Sequence, residues 1–180
     1  YKSKAMTDIL DEIIAHKRLE IEQQKAAISQ ELLINNCNEP MPRRSMRASL
    51  SASPSGIIAE FKRRSPSKGW IKENAQADII SPAYEMAGAS VLSILTDENF
   101  FGGNLKDIRA ARPQVSLPIL RKDFIIDEYQ LYQACIVGAD AVLLIAAALR
   151  KEQCSMLAAK AHELKLEVLL EIHSEQELEY

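Results

Sequence analysis

The sequence predicts an α/β fold, a TIM-type (βα)8 barrel with an N-terminal helical extension, of which this chain is expected to carry the first five βα units. After Gly56, short apolar runs alternate with amphipathic stretches, which is typical of parallel strands joined by helices. The runs begin at residues 57, 90, 118, 141 and 167. A barrel of about 250 residues with eight units needs roughly 30 residues per unit, and these starts fit that spacing.

Composition and charge exclude several classes of protein. The 180 residues are 47% hydrophobic and 26% charged, as in one globular domain, and the net charge of −3 gives no overall positive field for nucleic acid or an anionic membrane. The longest apolar run, 139–149, contains Asp140 and is too short to span a bilayer. The cysteines Cys37, Cys135 and Cys154 form no CxxC pair, which indicates free thiols in a reducing cytoplasm and no zinc site.

The N-terminal part is predicted to be a helical extension. We expect residues 1–5, ahead of Met6, to be an expression remnant. Apolar residues then recur at helical spacing from Met6 to Ile21, which indicates an amphipathic helix. Residues 35–55 are a connector with a short helix around Met46. The predicted domains are therefore 6–56 for the extension and connector, and 57–180 for the partial barrel.

The barrel elements follow in order from local signals. The predicted strands are 57–61, 90–95, 118–120 leading into 121–122, 141–145, and 167–172. The similar segments AGASVL (87–92) and VGADAV (137–142) each place a glycine between a helix and a strand.

Three helix starts are also predicted in the barrel. Capping-box spacing at Asp127 and at Ser174 predicts two of them. The first barrel helix is expected to start between residues 78 and 81, because Pro82 cannot lie deep in a helix.

Charged side chains at three strand ends predict a site. Glu60 and Lys62 share a face at the end of the first strand, Lys122 lies at the end of the third, and Glu171 at the end of the fifth. Odd-numbered strands contribute to the same layers of a barrel interior, so these side chains should converge at the C-terminal face. A structural ion-pair network is the alternative, but the position favours catalysis.

Three loops at the same face hold further candidates. Residues 62–70 are basic and hydroxyl-rich, and we expect a flexible loop that closes over an anionic substrate. Phe101 and Phe124 could pack against an aromatic substrate or simply cover the core. Asp97, Glu98 and His173 show no metal-ligand spacing and are interpreted as surface or loop residues.

Six segments, in order and in register, resemble the indole-3-glycerol phosphate synthase family of tryptophan biosynthesis. They are IIAEFKRRSPS (57–67), SILTD (93–97), FGG (101–103), PILRKDFI (118–125), GADAVLLI (138–145) and EVLLEIH (167–173). The resemblance covers residues 6–180, about the first two thirds of a family member. The family's Asn after strand 6, its Glu-Ser after strand 7 and its glycine-rich phosphate loops have no counterpart in these residues.

The resemblance implies a carboxy-lyase. The substrate would be 1-(2-carboxyphenylamino)-1-deoxyribulose 5-phosphate, which is converted to indole-3-glycerol phosphate by ring closure, decarboxylation and dehydration. Lys122 would be the general acid and Glu171 the base, with Lys62 as a second acid or anion anchor and Glu60 holding the lysines. Ser65, Phe101 and Phe124 would be substrate-binding residues.

The resemblance also implies no cofactor, no metal, a small-molecule phosphosugar-anthranilate substrate and a cytoplasmic, monomeric full-length protein without nucleic acid or membrane partners. Two alternatives stay open: another phosphosugar barrel, such as an aldolase with Lys122 as Schiff-base amine, and an inactive partial barrel. Since five strands cannot close a barrel, a chain truly ending at Tyr180 is expected to aggregate or to associate.

Overall fold

The computed structural model describes residues 2–37 and 42–180, with side chains from residue 9 onward. The N-terminal extension contains three helices, α1 (Lys2–Ala27), α2 (Gln30–Asn36) and α3 (Met46–Ala52). The expected long amphipathic helix and the short helix at Met46 are both present, whereas α2 was not predicted. Serine hydroxyls cap the N-termini of α2 and α3: the Ser29 hydroxyl accepts from the Leu32 N–H, and the Ser45 hydroxyl accepts from the Ala48 N–H.

Five parallel strands form the main sheet, in chain order from one edge to the other. They are β1 (Ile58–Phe61), β4 (Val91–Leu95), β5 (Ile119–Lys122), β6 (Ala141–Ile145) and β7 (Glu167–Glu171). All four neighbouring pairs are parallel, as the βα pattern predicted. A separate antiparallel hairpin joins β2 (Arg64–Ser65) to β3 (Gly69–Trp70) in the loop after β1.

Four helices connect the strands of the main sheet. They are α4 (Ala77–Met86), α5 (Leu105–Ala111), α6 (Glu128–Val137) and α7 (Lys151–Glu163). Three short 3-10 helices lie at Arg112–Gln114, Ala146–Ala148 and Glu175–Glu179. The helix α6 has the predicted capping box at Asp127, and it ends at Gly138, whose φ of 94° suits glycine.

Two helix predictions need correction. The helix α4 begins at Ala77, one residue before the expected window, and Pro82 lies inside it. The first turn is held by the Gln76 carbonyl, which accepts from Ile79 and Ile80, so the proline removes one later bond rather than the start of the helix.

The second correction concerns the chain after β7. Ser174 makes no capping bond through its side chain, and a 3-10 helix follows it in place of the predicted α-helix. The Glu177 carboxylate accepts instead from the His173 N–H at 2.6 Å. The capping-box spacing was therefore present without the capping geometry.

The core lies between the sheet and its helices. The strands β4 and β6 are buried along their whole length, as expected for strands covered on both faces. Leu92 and Ile94 of β4 pack towards the helices, whereas Val91 packs on the other face with Met46 of α3. None of the helices within the described residues is long and apolar enough to cross a membrane.

Candidate active site

Three of the predicted charged residues meet at the carboxyl ends of β1 and β5. The Lys122 ammonium donates to Glu60 Oε2 at 2.7 Å, and Lys62 Nζ lies 3.3 Å from Glu60 Oε1. The register of the sheet explains the meeting, because Glu60 pairs with Ser93 on β4, and Leu95 of β4 pairs with Lys122. The Ser93 hydroxyl also donates to Glu60, at 3.4 Å.

This cluster is half-buried and carries a net positive charge. Burial alone would raise the pKa of Glu60, but the hydrogen bond and charge of Lys122, together with Lys62, hold it below its usual value. The glutamate is therefore an ionised carboxylate shared by two ammonium groups. One positive charge is left over, which suits a site that receives an anion or stabilises a developing oxyanion.

Glu171 does not join this cluster in the structure. It ends β7, at the opposite edge of the sheet from β1, and its Oε1 lies 2.7 Å from Nε2 of His173. Among the described residues, His173 is the one that pairs with the Glu171 carboxylate. The structure thus brings together three of the four charged residues expected to converge. His173 is exposed on a loop, as expected.

Two phenylalanines from neighbouring loops lie beside each other. Phe101 follows β4 and Phe124 follows β5, and their ring centroids are 5.9 Å apart with an angle of 35° between the planes. Both side chains are half-buried. Aromatic surfaces so placed, beyond the carboxyl ends of adjacent strands, can form a wall for a flat substrate.

The basic loop after β1 contains the hairpin of β2 and β3. Its hairpin docks onto the Phe101 loop, where the Arg64 N–H donates to the Phe101 carbonyl at 3.2 Å and Arg64 Nη1 donates to the Asn99 carbonyl at 3.0 Å. Ser65 is 8% exposed, and its hydroxyl accepts from the Lys68 N–H at 3.2 Å. The Ser65 hydroxyl therefore takes part in its own hairpin.

Arg63 fastens this loop to α5 and to the segments that precede α4 and α5. Its guanidinium donates to both carboxylate oxygens of Asp107, at 2.6 and 2.8 Å, and to the carbonyls of Ala75 and Gly102 at 2.8 and 3.1 Å. Its charge is thus neutralised inside the protein. Arg63 therefore has a structural role, which the number of basic residues in the loop did not predict.

Asp97 lies in the loop after β4, within the expected surface or loop position, but it is buried and not at the surface. Its side chain is fully buried and lies 2.7 Å from Nζ of Lys17 on α1. In the sequence, Lys17 resembles the other polar residues of the amphipathic helix, so its contact with Asp97 was not predicted.

Within the described ranges, no three His, Cys, Asp or Glu side chains are arranged to hold a metal ion. Cys37, Cys135 and Cys154 are free thiols.

Comparison with known proteins places the chain in a family. A family model described as indole-3-glycerol phosphate synthase matches residues 10–180. A protein of that name from Bacteroides thetaiotaomicron is 69% identical over 175 residues, which cover 97% of this chain and 67% of the relative. Another, from Neisseria meningitidis serogroup B, is 52% identical over 178 residues, which cover 97% of this chain and 68% of the relative. The chain spans about two thirds of the length of these relatives.

Proposed function

The chain belongs to the indole-3-glycerol phosphate synthase family, and from this we propose how its residues carry out the reaction. Its function is that of a carboxy-lyase of tryptophan biosynthesis. The substrate is 1-(2-carboxyphenylamino)-1-deoxyribulose 5-phosphate. An aryl carbon of this substrate attacks the ribulose carbonyl, CO2 leaves, and the former carbonyl oxygen is lost as water. The five parallel strands fit consecutive units of the eight-stranded barrel that this family implies.

Lys122 is the general acid in this proposal. Ring closure places negative charge on the former carbonyl oxygen, and an ammonium group at that point can donate the proton. The 2.7 Å contact between Lys122 and Glu60 is the observation that supports this role most directly. Glu60 orients the ammonium group, and Lys62, at 3.3 Å from the same carboxylate, supplies a second cation for the substrate carboxylate or for the departing oxygen.

Glu171 is proposed as the base for the later proton abstraction that accompanies dehydration. It projects from the carboxyl end of β7, as the lysines do from β1 and β5. Its contact with His173 is exposed, so a substrate could replace it at small cost. Phe101 and Phe124 form the wall for the anthranilate ring, and Ser65 is a weaker contact because its hydroxyl is already engaged.

The aldolase alternative requires Lys122 as a neutral amine that attacks a carbonyl. A carboxylate 2.7 Å from the Lys122 nitrogen stabilises the ammonium form, which donates protons, over the free amine, which forms imines. Borohydride in the presence of substrate separates the two mechanisms. The synthase mechanism predicts no mass increase on Lys122, whereas a trapped imine would establish the aldolase chemistry.

Lys122→Met tests the proposal in the full-length protein. One positioned proton donor accelerates a reaction by roughly a hundredfold to ten-thousandfold, so kcat should fall by a factor in that range. The substrate Kd should stay within about tenfold of the wild-type value. Product is followed by indole fluorescence. Lys106→Met, on the exposed side of α5, is the matched control and should keep wild-type kcat. Wild-type turnover in Lys122→Met would contradict the assignment.

The remaining features of the proposal follow from the same reaction. The substrate is a small phosphosugar-anthranilate, and no step requires a redox cofactor or a metal. We place the protein in the cytoplasm, where its three thiols stay reduced, and expect a monomer without nucleic acid or membrane partners.

A further inference from the structure

A buried lysine links the N-terminal helix to the ends of two barrel strands. Lys17 of α1 is 1% exposed, and it is the one buried lysine among the side chains that the structure describes. Its ammonium nitrogen lies 2.7 Å from Asp97 Oδ1, 3.1 Å from Asp123 Oδ1 and 2.7 Å from Glu20 Oε2. Asp97 lies two residues after the end of β4, and Asp123 directly follows β5, so one ammonium group joins two strand ends.

The carboxylate of Asp97 orients the loop after β4. Its Oδ2 accepts from the Phe100 N–H at 2.8 Å, and its backbone carbonyl accepts from the Gly103 N–H at 2.8 Å. Phe101 lies between these two bonds. The position of this ring therefore depends on the position of Asp97.

The carboxylate of Asp123 does the same for the loop after β5. Its Oδ1 accepts from the Phe124 N–H at 2.8 Å, and its Oδ2 accepts from the Thr96 hydroxyl at 2.6 Å. The residue immediately before it is Lys122, and the Lys122 carbonyl accepts from the Thr96 N–H at 3.1 Å. A shift of Asp123 would therefore move the backbone that carries Lys122.

Charge balance makes Lys17 necessary to this arrangement. Burial raises the pKa of Asp123, but Lys17 and Arg121 outweigh burial and lower it to about 2. Burial likewise lowers the pKa of Lys17, and the charges of Asp123 and Asp97 more than reverse this. Without the ammonium group, Asp123 would keep Arg121 at 3.1 Å, but Asp97 would lose the cation that faces it and would have to take up a proton or move.

We propose that Lys17 is a positioning residue for the reaction: through Asp97 and Asp123 it fixes the two loops that present Phe101, Lys122 and Phe124 to the substrate. The inference rests on the proposed function for the roles of those three residues. Lys17 itself acts only through the carboxylates that it holds. The N-terminal helix thereby becomes part of the active-site support.

Lys17→Met in the full-length protein tests the inference, since methionine keeps most of the length without the charge. A displacement of about 1 Å can cost roughly a hundredfold, so kcat/KM should fall by about tenfold to a hundredfold. We expect both parameters to change, with kcat lowered by the shift of Lys122 and KM raised by the shift of the two rings. Lys25→Met is the matched control, because Lys25 lies on the same helix but pairs at the surface with Asp127, at 2.7 Å. It should stay within twofold of wild type.

Trp70 gives a readout that does not depend on turnover. It is the one tryptophan of the sequence, and its ring lies against Gly102, where an added Cβ would be 2.7 Å from the ring. Trp70 is 50% exposed, and movement of the Phe101 loop should expose its ring further. Acrylamide quenching of its fluorescence should therefore increase in Lys17→Met and stay unchanged in Lys25→Met. If wild-type protein shows no turnover, the proposed function fails, yet this comparison still tests the positioning by Lys17.

A second variant separates positioning from stability. Lys17→Met/Asp97→Asn removes the carboxylate that Lys17→Met leaves without its cation, and should recover much of the thermal stability lost in the single variant. Its kcat/KM should stay low, because asparagine restores no link between the two strand ends. Recovery of both stability and wild-type kcat/KM would overturn the inference. So would a folded Lys17→Met protein with kcat/KM within twofold of wild type and unchanged Trp70 quenching.

Discussion

Gly103→Ala should displace the Phe101 loop, because the site of the new methyl group is already filled. A Cβ on Gly103 would lie 2.1 Å from the Leu95 carbonyl oxygen and 2.6 Å from its carbon, whereas real Cβ atoms essentially never come within 3.0 Å of a heavy atom outside their own residue and its chain neighbours. The two backbones must therefore separate by about 1 Å. Leu95 ends the fully buried strand β4, so the loop rather than the strand should move.

The magnitude follows from that displacement. Overpacking of this kind typically costs about 1–3 kcal/mol of folding free energy. Phe101 lies two residues before Gly103, and Arg63 donates to the Gly102 carbonyl, so both the aromatic wall and the basic hairpin should shift with the loop. Since a 1 Å misplacement can cost roughly a hundredfold, kcat/KM should fall by between tenfold and a hundredfold.

The assay combines steady-state kinetics with unfolding in urea. Glu98→Ala is the control, because it changes an exposed side chain in the same loop and leaves the backbone space unaltered. It should keep kcat/KM within twofold and its folding free energy within about 0.5 kcal/mol of wild type. If Gly103→Ala had wild-type kcat/KM and an unmoved Phe101 in a crystal structure, the reasoning would be refuted.

Three further predictions concern charged groups. In Glu171→Gln, proton abstraction and dehydration should slow more than ring closure, and rapid-quench analysis should show an accumulating intermediate; ring closure slowed alone would contradict the base role. The pKa of Asp123 falls from 3.8 to about 2 on folding, so about 2 kcal/mol of stability should be present above pH 4 and be lost as the pH falls towards 2. In Asp123→Asn, the free energy of unfolding should therefore depend less on pH in this range. Arg63→Lys should lose the paired bonds to Asp107 and about 1–3 kcal/mol in urea unfolding, whereas Arg109→Lys on exposed α5 should be neutral.

The elements predicted best from the sequence are those fixed by local signals. The strand β6 runs over Ala141–Ile145 as predicted, since Gly138 ends the preceding helix and the apolar run begins at once. Side-chain alternation in strands also placed Glu60, Lys62 and Lys122 on one side of the sheet, where the structure brings them together. For these features, neighbouring residues carry the information.

The features that were missed depend on partners far apart in the chain. The hairpin of β2 and β3 has only two residue pairs, too few to leave an alternating pattern. The burial of Asp97 in its loop was missed because its counter-ion, Lys17, lies on another element. The contact of Glu171 with His173, rather than with a lysine, reflects the positions of β1 and β7 at opposite sheet edges.

The hairpin after β1 changes how a ligand would meet this face. Ordering a backbone costs about 1–2 kcal/mol per residue at room temperature, and a loop that folds only around its ligand must draw that cost from the binding energy. Here the Arg63 carbonyl already accepts from the Ile71 N–H, and the Arg64 N–H is already bonded to the Phe101 carbonyl. These bonds are made by the chain itself, so they offset part of the ordering cost without drawing on a ligand. Binding energy is left for desolvating the anionic groups of the ligand, and association need not wait for the segment to fold.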